Sequence, residues 1–503
     1  MFDRLRFYWV VFAGGAVLMA LEILSSRLLA PRFGNSVYVW GSIISVFLAA
    51  LSLGYWWGGR LADREPSLGG LGRMIVWAAV AQAALVVAGP RVADHLGEWT
   101  GAAPWGTLVA ATLLFAPPSL LLATISPYAV RLAARDLSRL GHTAGRLYAL
   151  STLGSLAGTL GATFVLIPYL SLPAALSLVL ATTSVTALAA LARDLRRERL
   201  ATAVAGLLLV AAAAGPPDLG GGEPGLVHER MTPYQTLRVV DRDGVRRLES
   251  DRVLHGAVRL DDGELALHYP RLFPLAWVIE PRIDSALVLG MGGGNSTAYL
   301  RRAFPGLGVD LVDVDPAVPE VAERYMGFVP GDGVAVHVAD GRRYIETAER
   351  TWDLVVADTY IGLSVPFHMT TREFLAAVDA RLTPGGVVVV NLAADLRQPF
   401  PRAIARTLAS RFETLYAFPV PGLANTVLLA THRQRLGDDE LVERAAALDR
   451  RFPFDPPLAE LARRRLDLDL DPPPYGDEVP VLSDRFAPVD RLIHLGEREV
   501  PRP

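Results

Sequence analysis

Three aspartates, Asp313, Asp340 and Asp358, each close a short apolar run, and a glycine-rich stretch, Gly290-Met291-Gly292-Gly293-Gly294-Asn295, follows another. Glycines at a strand-to-helix turn let a ligand approach the backbone amides of a helix N-terminus. An acidic side chain about 20 residues further on can accept hydrogen bonds from both hydroxyls of a ribose. A carboxylate on a neighbouring strand end can take a proton from an attacking nucleophile. Together these residues point to a nucleoside-bearing donor and a group transfer. Any one aspartate alone is explained by helix capping or turn formation; the loop with three carboxylates is not. An NAD site would use the same loop, but the glycines run GMGGGN rather than G-x-G-x-x-G, and Asp340 has no evident NAD role.

The elements that must hold these residues are legible as apolar runs at 286–289, 309–312, 334–338, 353–356 and 387–390, the last after the turn Pro384-Gly385-Gly386. Strands alternating with helices predict a parallel sheet, which binds ligands beyond its carboxyl edge. Before it, alternating runs at 236–240, 246–249 and 257–260, broken by Asp243-Gly244 and Asp262-Gly263, predict β-hairpins. The expected organisation is a helical membrane domain at 1–214, a Gly/Pro linker at 215–225 and a β-hairpin subdomain at 226–283. A Rossmann-like methyltransferase-fold α/β domain follows at 284–432, then a helical, Pro-rich extension at 433–503.

The membrane assignment rests on hydropathy. Six stretches, 8–30, 37–59, 73–90, 103–126, 145–168 and 172–192, approach or exceed the roughly 20 apolar residues a bilayer core requires. A seventh, 200–214, is short, which leaves six or seven spans. The first is too long for a cleavable signal peptide and lacks a small-residue cleavage site. Thirteen arginines lie on the side shared with the N-terminus and only Arg32 and Arg91 opposite, so the positive-inside rule sets the N-terminus in the cytoplasm. Gly54 and Gly58, and Gly154, Gly158 and Gly161, predict close helix packing. Glu22 and Arg27 form an ionisable pair inside the first span, where charge is costly. The chain of 503 residues is 51% hydrophobic with a net charge of −3, which argues against nucleic acid as a partner. It has no Cys and no Lys, which excludes disulfides, thiolate chemistry, a P-loop lysine and Schiff-base catalysis. The near-neutral total conceals 16 Arg against 9 acids in 1–215 and 33 Arg against 43 acids thereafter.

The run from Pro233-Tyr234-Gln235 through the glycine loop to Pro384-Gly385-Gly386 resembles spermidine synthases, aminopropyltransferases of the class I methyltransferase fold. The whole chain looks like bacterial membrane-fused spermidine synthase-like proteins. It shares with them a first helix of the Glu22…Arg27…Phe33-Gly34 type and an end like Leu482-Ser483-Asp484-Arg485-Phe486-Ala487-Pro488-Val489-Asp490. The resemblance implies that Gly290, Gly292, Gly293 and Gly294 line the methionine-like part of the donor and that Asp313 holds the ribose. It further implies that Asp340 with Gly341 holds the adenine amine, that Gln235 is a donor-side glutamine, and that Asp358 helps deprotonate the acceptor amine. Tyr360, His368 and His268 are the acceptor-side candidates. The chain departs from the family where Asn295-Ser296 stands for Asp-Gly, Ile361 for the last Asp of D-S-S-D, Leu267-His268 for a Tyr-His pair and His255 for a glutamine. A doubly protonated diamine wants carboxylates at both ends, so putrescine is in doubt as acceptor.

Three functions follow as expectations. The first is aminopropyl transfer from decarboxylated S-adenosylmethionine to an amine, in polyamine biosynthesis. The second is methyl or alkyl transfer from intact S-adenosylmethionine, favoured by the neutral Asn295. The third is a transporter or a catalytically silent nucleotide sensor, motivated by Glu22, Arg27 and a short match of Gly58-Gly59-Arg60-Leu61-Ala62-Asp63-Arg64 to a major-facilitator loop. The expected partners are the lipid bilayer and a small amine or other small acceptor, with a homodimer left open. The chemistry requires no metal, and the soluble domain is expected in the cytoplasm.

Overall fold

The structure, a computed structural model, describes residues 2–64, 66–100, 104–134, 140–191, 206, 224–359, 365–468 and 478–493. They form two compact units, Met1–Pro224 with Arg230–Gln235, and Gly225–Glu229 with Thr236–Pro503.

The first unit is helical: α1 (Phe2–Phe33), α2 (Val37–Arg64), α3 (Leu68–Thr100), α4 (Pro104–Ala123), α5 (Ile125–Ala133), α6 (Leu140–Gly161), α7 (Ile167–Tyr169) and α8 (Leu172–Leu191). Six helical stretches among the described residues are long and apolar enough to cross a membrane. Because α4 continues almost directly into α5, and α6 through a π turn at Ala162–Leu166 into α7, eight helices make six stretches. Glycine lets their backbones approach. A Cβ on Gly154 would lie 2.0 Å from the Phe12 carbonyl of α1, one on Gly158 2.0 Å from that of Ala16, and one on Gly54 2.5 Å from that of Leu120. One on Gly58 would lie 2.7 Å from the Thr124 Cα. Gly161 breaks the expected pattern, since nothing lies within 4 Å of its Cβ position. It stands where the α-helical spacing that aligns Gly154 and Gly158 gives way to the π turn. Arg27 donates to the Pro233 carbonyl of the 230–235 segment. Of the candidate seventh span at 200–214 only residue 206 is described, and 215–223 of the linker likewise lies outside the described residues.

The second unit begins with an antiparallel sheet in the order β1 (Leu226–Met231), β2 (Thr236–Arg242), β3 (Val245–Ser250) and β4 (Val253–Arg259). The sequence reading missed β1, whose Leu-Val-His-Glu-Arg-Met run lacks apolar alternation. The main sheet has seven strands: β5 (Ser285–Leu289), β6 (Gly308–Asp313), β7 (Val334–Val338), β8 (Trp352–Ala357), β9 (Leu382–Leu392), β10 (Thr414–Pro419) and β11 (Thr426–Thr431). Their order is β10-β11-β9-β8-β5-β6-β7. Strands β5 to β9 are parallel, while β11 pairs antiparallel with both β9 and β10. This is a mixed Rossmann-like, methyltransferase-type sheet. Ala286 and Val288 pack into the core on one face, and Leu287 and Leu289 into the core on the other. Burial on both faces gives the parallel strands their uninterrupted apolar runs.

Two further readings change. Strands β10 and β11 were not anticipated. Pro384-Gly385-Gly386 is not a turn ahead of the strand but an irregularity inside β9. Trp352 pairs with Leu382 and Leu354 with Val387, so the intervening residues of β9 bulge out, with Gly385 at φ +85.

Candidate active site

The carboxyl ends of β5, β6, β7 and β8 bring the glycine loop and the three aspartates onto one sheet edge, as the strand order requires. At the end of β5 the chain must turn between two neighbouring strand ends. The Gly290 N–H donates to the Val312 carbonyl at 2.9 Å, and a Cβ there would meet the Asp358 carbonyl oxygen at 2.0 Å. With φ at +90, position 290 admits glycine on both counts. Gly294, at φ +71, caps the helix Asn295–Ala303, and its α-carbon faces the Phe328 ring, which a Cβ would strike at 2.3 Å. Strand β4 backs the loop, with the His255 carbonyl 2.6 Å from a Cβ on Gly292 and the Gly256 Cβ position 2.9 Å from the Gly293 nitrogen. The cradle that these glycines leave is what a close-lying nucleoside donor needs.

Asp313 ends β6. Its carboxylate accepts from the Met291 N–H of the loop at 3.1 Å and from the Asp315 N–H at 3.0 Å. Burial pushes this carboxyl up to about 6, helped by the nearby Asp315 charge and opposed by the backbone N–H groups of Asp315, Met291 and Val314. Two carboxylate oxygens offer about four acceptor sites, so these amides do not exhaust the carboxylate and leave capacity for a hydroxyl.

Asp340 follows β7 and caps the helix Gly341–Thr347, accepting from the Arg343 N–H at 2.9 Å. Its other oxygen faces the His368 Nε2 at 3.1 Å. Burial works to raise its pKa, but the Arg343 amide and the His368 ring outweigh it and hold the carboxyl below the usual range. The His368 ring thus stands against Asp340 and orients that carboxylate. A Cβ on Gly341 would lie 2.9 Å from the Met369 Cε, so the helix starts close against that loop.

Asp358 follows β8. The Tyr269 hydroxyl donates to Oδ2 at 2.7 Å and the Asn391 side-chain amide to Oδ1 at 3.0 Å. The Asn391 oxygen in turn faces the Asn425 amide at 3.4 Å. Burial raises the Asp358 pKa against the opposing pull of those two donors. A raised carboxylate pKa makes a stronger base once ionised.

Tyr269 and Asn391 were missed in the sequence. The tyrosine that reaches Asp358 is Tyr269, next to the Leu267-His268 pair. A 3₁₀ turn, Tyr269–Leu272, starts after His268, leaves His268 exposed and buries Tyr269. Asn391 carried a usable signal, because a lone amide at the end of Val-Val-Val-Val-Asn-Leu is a buried polar group that must find a partner. Tyr360, with 361, lies outside the described residues. Gln235 falls in the 230–235 segment of the first unit, where its N–H and carbonyl close a turn with Thr232 at 3.0 and 2.8 Å. Asn295 is buried. Its amide donates to the Met326 carbonyl at 3.1 Å, while its Oδ1 lies beside Gly293 and accepts no hydrogen bond from the described residues.

Residues 273–433 match the spermine/spermidine synthase domain. A polyamine aminopropyltransferase of Vibrio vulnificus (strain CMCP6) is 27% identical over 282 residues, covering 54% of this chain and 92% of its own. The human eEF1A lysine and N-terminal methyltransferase is 33% identical over 179 residues, covering 33% of this chain and 25% of its own length. The crystal structure of spermidine synthase from Thermotoga maritima aligns at 15% identity with a TM-score of 0.36, covering 45% of this chain and 87% of its own. The second unit thus carries, over 273–433, a spermidine synthase-like domain on a methyltransferase-type sheet.

Proposed function

We propose that the protein is a membrane-anchored transferase that moves an aminopropyl group from decarboxylated S-adenosylmethionine to an amine. One observation carries this reading: a carboxylate, Asp358, is gripped at both oxygens by Tyr269 and Asn391 and set one strand from the glycine loop. Its side chain is thereby fixed before any acceptor arrives, which a proton acceptor in a displacement requires. In the proposed step the amine lone pair attacks the carbon next to the sulfonium and a new C–N bond forms. The C–S bond breaks with its electron pair going to sulfur, which leaves as a neutral thioether, and the amine proton passes to Asp358. Asp313 would hold the ribose, and Asp340, fixed by His368, the adenine amine. The six apolar helices support anchoring in a bilayer.

A second reading, methyl transfer from intact S-adenosylmethionine, is favoured by one residue. Asn295 places a neutral amide oxygen where the family's loop carries a carboxylate, and a neutral group does not repel the carboxylate of the intact donor. Two unit charges about 4 Å apart interact by roughly 4 kcal/mol at an effective dielectric of 20. Calorimetry of the detergent-purified protein with each donor separates the two. The expected result is tighter binding of the decarboxylated donor, by a margin that Asn295→Asp widens at least about tenfold, a fraction of that energy. Preference for the intact donor would overturn aminopropyl transfer, and binding of neither would overturn both readings.

A further inference from the structure

We propose that the basic end of the helical unit holds a phosphate-bearing anion, in a cavity between its helices and separate from the transferase site. The inference rests on reading the six helices as membrane spans. The cavity measures about 700 Å³, within the roughly 300–1,000 Å³ of small-molecule sites. Arg4 and Arg6 enter it from the first turns of α1, and His142 and Arg146 from the start of α6. Phe7 and Leu147 give it an apolar wall. No described lining residue is acidic. The carboxylate of Asp63, at the end of α2, is engaged by Arg131 at 3.0 Å.

The positive-inside rule explains why these arginines lie on this side of the helices. It does not explain their convergence, since arginines spread over exposed loops would orient the chain equally well. The Arg4 and Arg146 guanidinium groups on one concavity repel one another, and a low-dielectric wall focuses their field into the space between them. An anion relieves that repulsion. Guanidinium forks match phosphate oxygens pairwise, which favours a phosphate ester over a halide or a lone carboxylate. The apolar wall beneath the charges suits a molecule with a hydrocarbon part. Basic pockets between spans on the cytoplasmic side have the right form for an anionic phospholipid headgroup. A soluble phosphate ester would use the same arginines without the wall.

Native mass spectrometry of the full-length protein in detergent tests this, with phosphatidylglycerol, phosphatidylcholine and, separately, inorganic phosphate as probes. Retention of phosphatidylglycerol over phosphatidylcholine is expected. In the double variant Arg4→Gln/Arg146→Gln it should fall by roughly tenfold or more, two attractive charges having been removed. Arg91→Gln, which changes an arginine of the opposite end, should leave it unchanged. If the double variant does not fold, Arg146→Lys keeps the charge without the fork and should lose a smaller part. Binding of inorganic phosphate that the double variant loses, without lipid preference, also supports the site and assigns it to a soluble ester. Retention of phosphatidylglycerol that is no greater than that of phosphatidylcholine, together with no phosphate binding, overturns the proposal. So does anion binding that the Arg4 and Arg146 variants leave intact.

Discussion

Asp358 is held by two neutral donors, the Tyr269 hydroxyl and the Asn391 amide, so its carboxylate is oriented without being neutralised by a cation. An arginine there would lower its basicity; burial raises it instead. Asp358→Asn keeps the shape and at least one of the two hydrogen bonds. It should leave donor affinity near that of the wild type and lower turnover by about two to four orders of magnitude, the worth of a positioned proton acceptor. Calorimetry and single-turnover kinetics check this; lost affinity with retained turnover would move Asp358 to the donor site. Asp313 predicts a pH dependence. Its folded pKa, about 6, lies above the ordinary aspartate value, so its charge is present above that pH and lost as pH falls through it. For the ligand-free protein the sign is the reverse of an ion pair's. Asp313 contributes stability below the unfolded pKa, and that contribution is lost as pH rises through about 6. On the proposed ribose assignment, donor binding uses the charged form. Affinity should therefore weaken as pH drops from 7 to 5, and in Asp313→Ala it should be weak and flat across that range. A wild-type affinity that does not change between pH 7 and 5 would contradict the ribose assignment.

At the scale of elements, the C-terminal Leu-Ser-Asp-Arg-Phe segment acts as a tie. The Asp484 carboxylate accepts two bonds from Arg342 at 2.7 Å and one from the Thr371 hydroxyl at 2.7 Å, joining the helix Gly341–Thr347 to the helix Arg372–Asp379. Arg342 also reaches the His368 carbonyl at 3.1 Å, and the His368 ring is on Asp340. The Arg342 guanidinium holds the Asp484 carboxyl down to about 2. Its share of stability is therefore present above the ordinary carboxylate range and lost only as pH falls toward 2. The pair is partly exposed, so its worth is discounted for solvent to about 1 kcal/mol or less. Asp484→Asn should weaken donor affinity by about threefold to tenfold, and more at low salt than at high, because a screened charge is lost. Saturated turnover should barely move, as Asp358 is untouched. A lower melting temperature with unchanged donor affinity would make the tie purely structural. This segment illustrates what the sequence could and could not yield. The glycine loop and the strand-ending aspartates are local patterns, and strand order alone gathers them onto one edge. The partners Tyr269, Asn391 and Asp484 lie 89, 33 and 142 residues from the residues they hold, and no local periodicity encodes that. Strands β10 and β11 are buried along nearly their whole length and, unlike β5 to β8, run into no glycine loop or aspartate that would mark a strand edge.

For the whole molecule, the charge split and the helix count bear on where the second unit works. Thirteen arginines flank one side of the helical stretches and two the other, and on the two-arginine side Arg32 is paired with Asp94 at 2.9 Å. Basic loops resist translocation, so the richer side, with the N-terminus, is expected in the cytoplasm. Among the described residues six helical stretches are long and apolar enough to cross. Six crossings alone would return the chain to its starting side, the cytoplasm, where an S-adenosyl donor is made, whereas Arg27, near the end of α1 away from the N-terminus, donates to the Pro233 carbonyl and holds the 230–235 segment at that far end. The segment 200–214 could reverse this only by crossing as well. Its 15 residues would span about 22 Å as a helix, against a hydrocarbon core of about 30 Å. With six crossings, a C-terminal reporter that matures only in the cytoplasm should be active and one that matures only outside silent; a seventh crossing by 200–214 would reverse both. The same pair of reporters fused after residue 100, between the third and fourth stretches, should give the opposite result. Matching external activity at the two positions would mean that 200–214 crosses as well or that one of the last three stretches does not. External activity at the C-terminus alone would place the transferase-like unit away from its donor, and the proposed reaction could not proceed there.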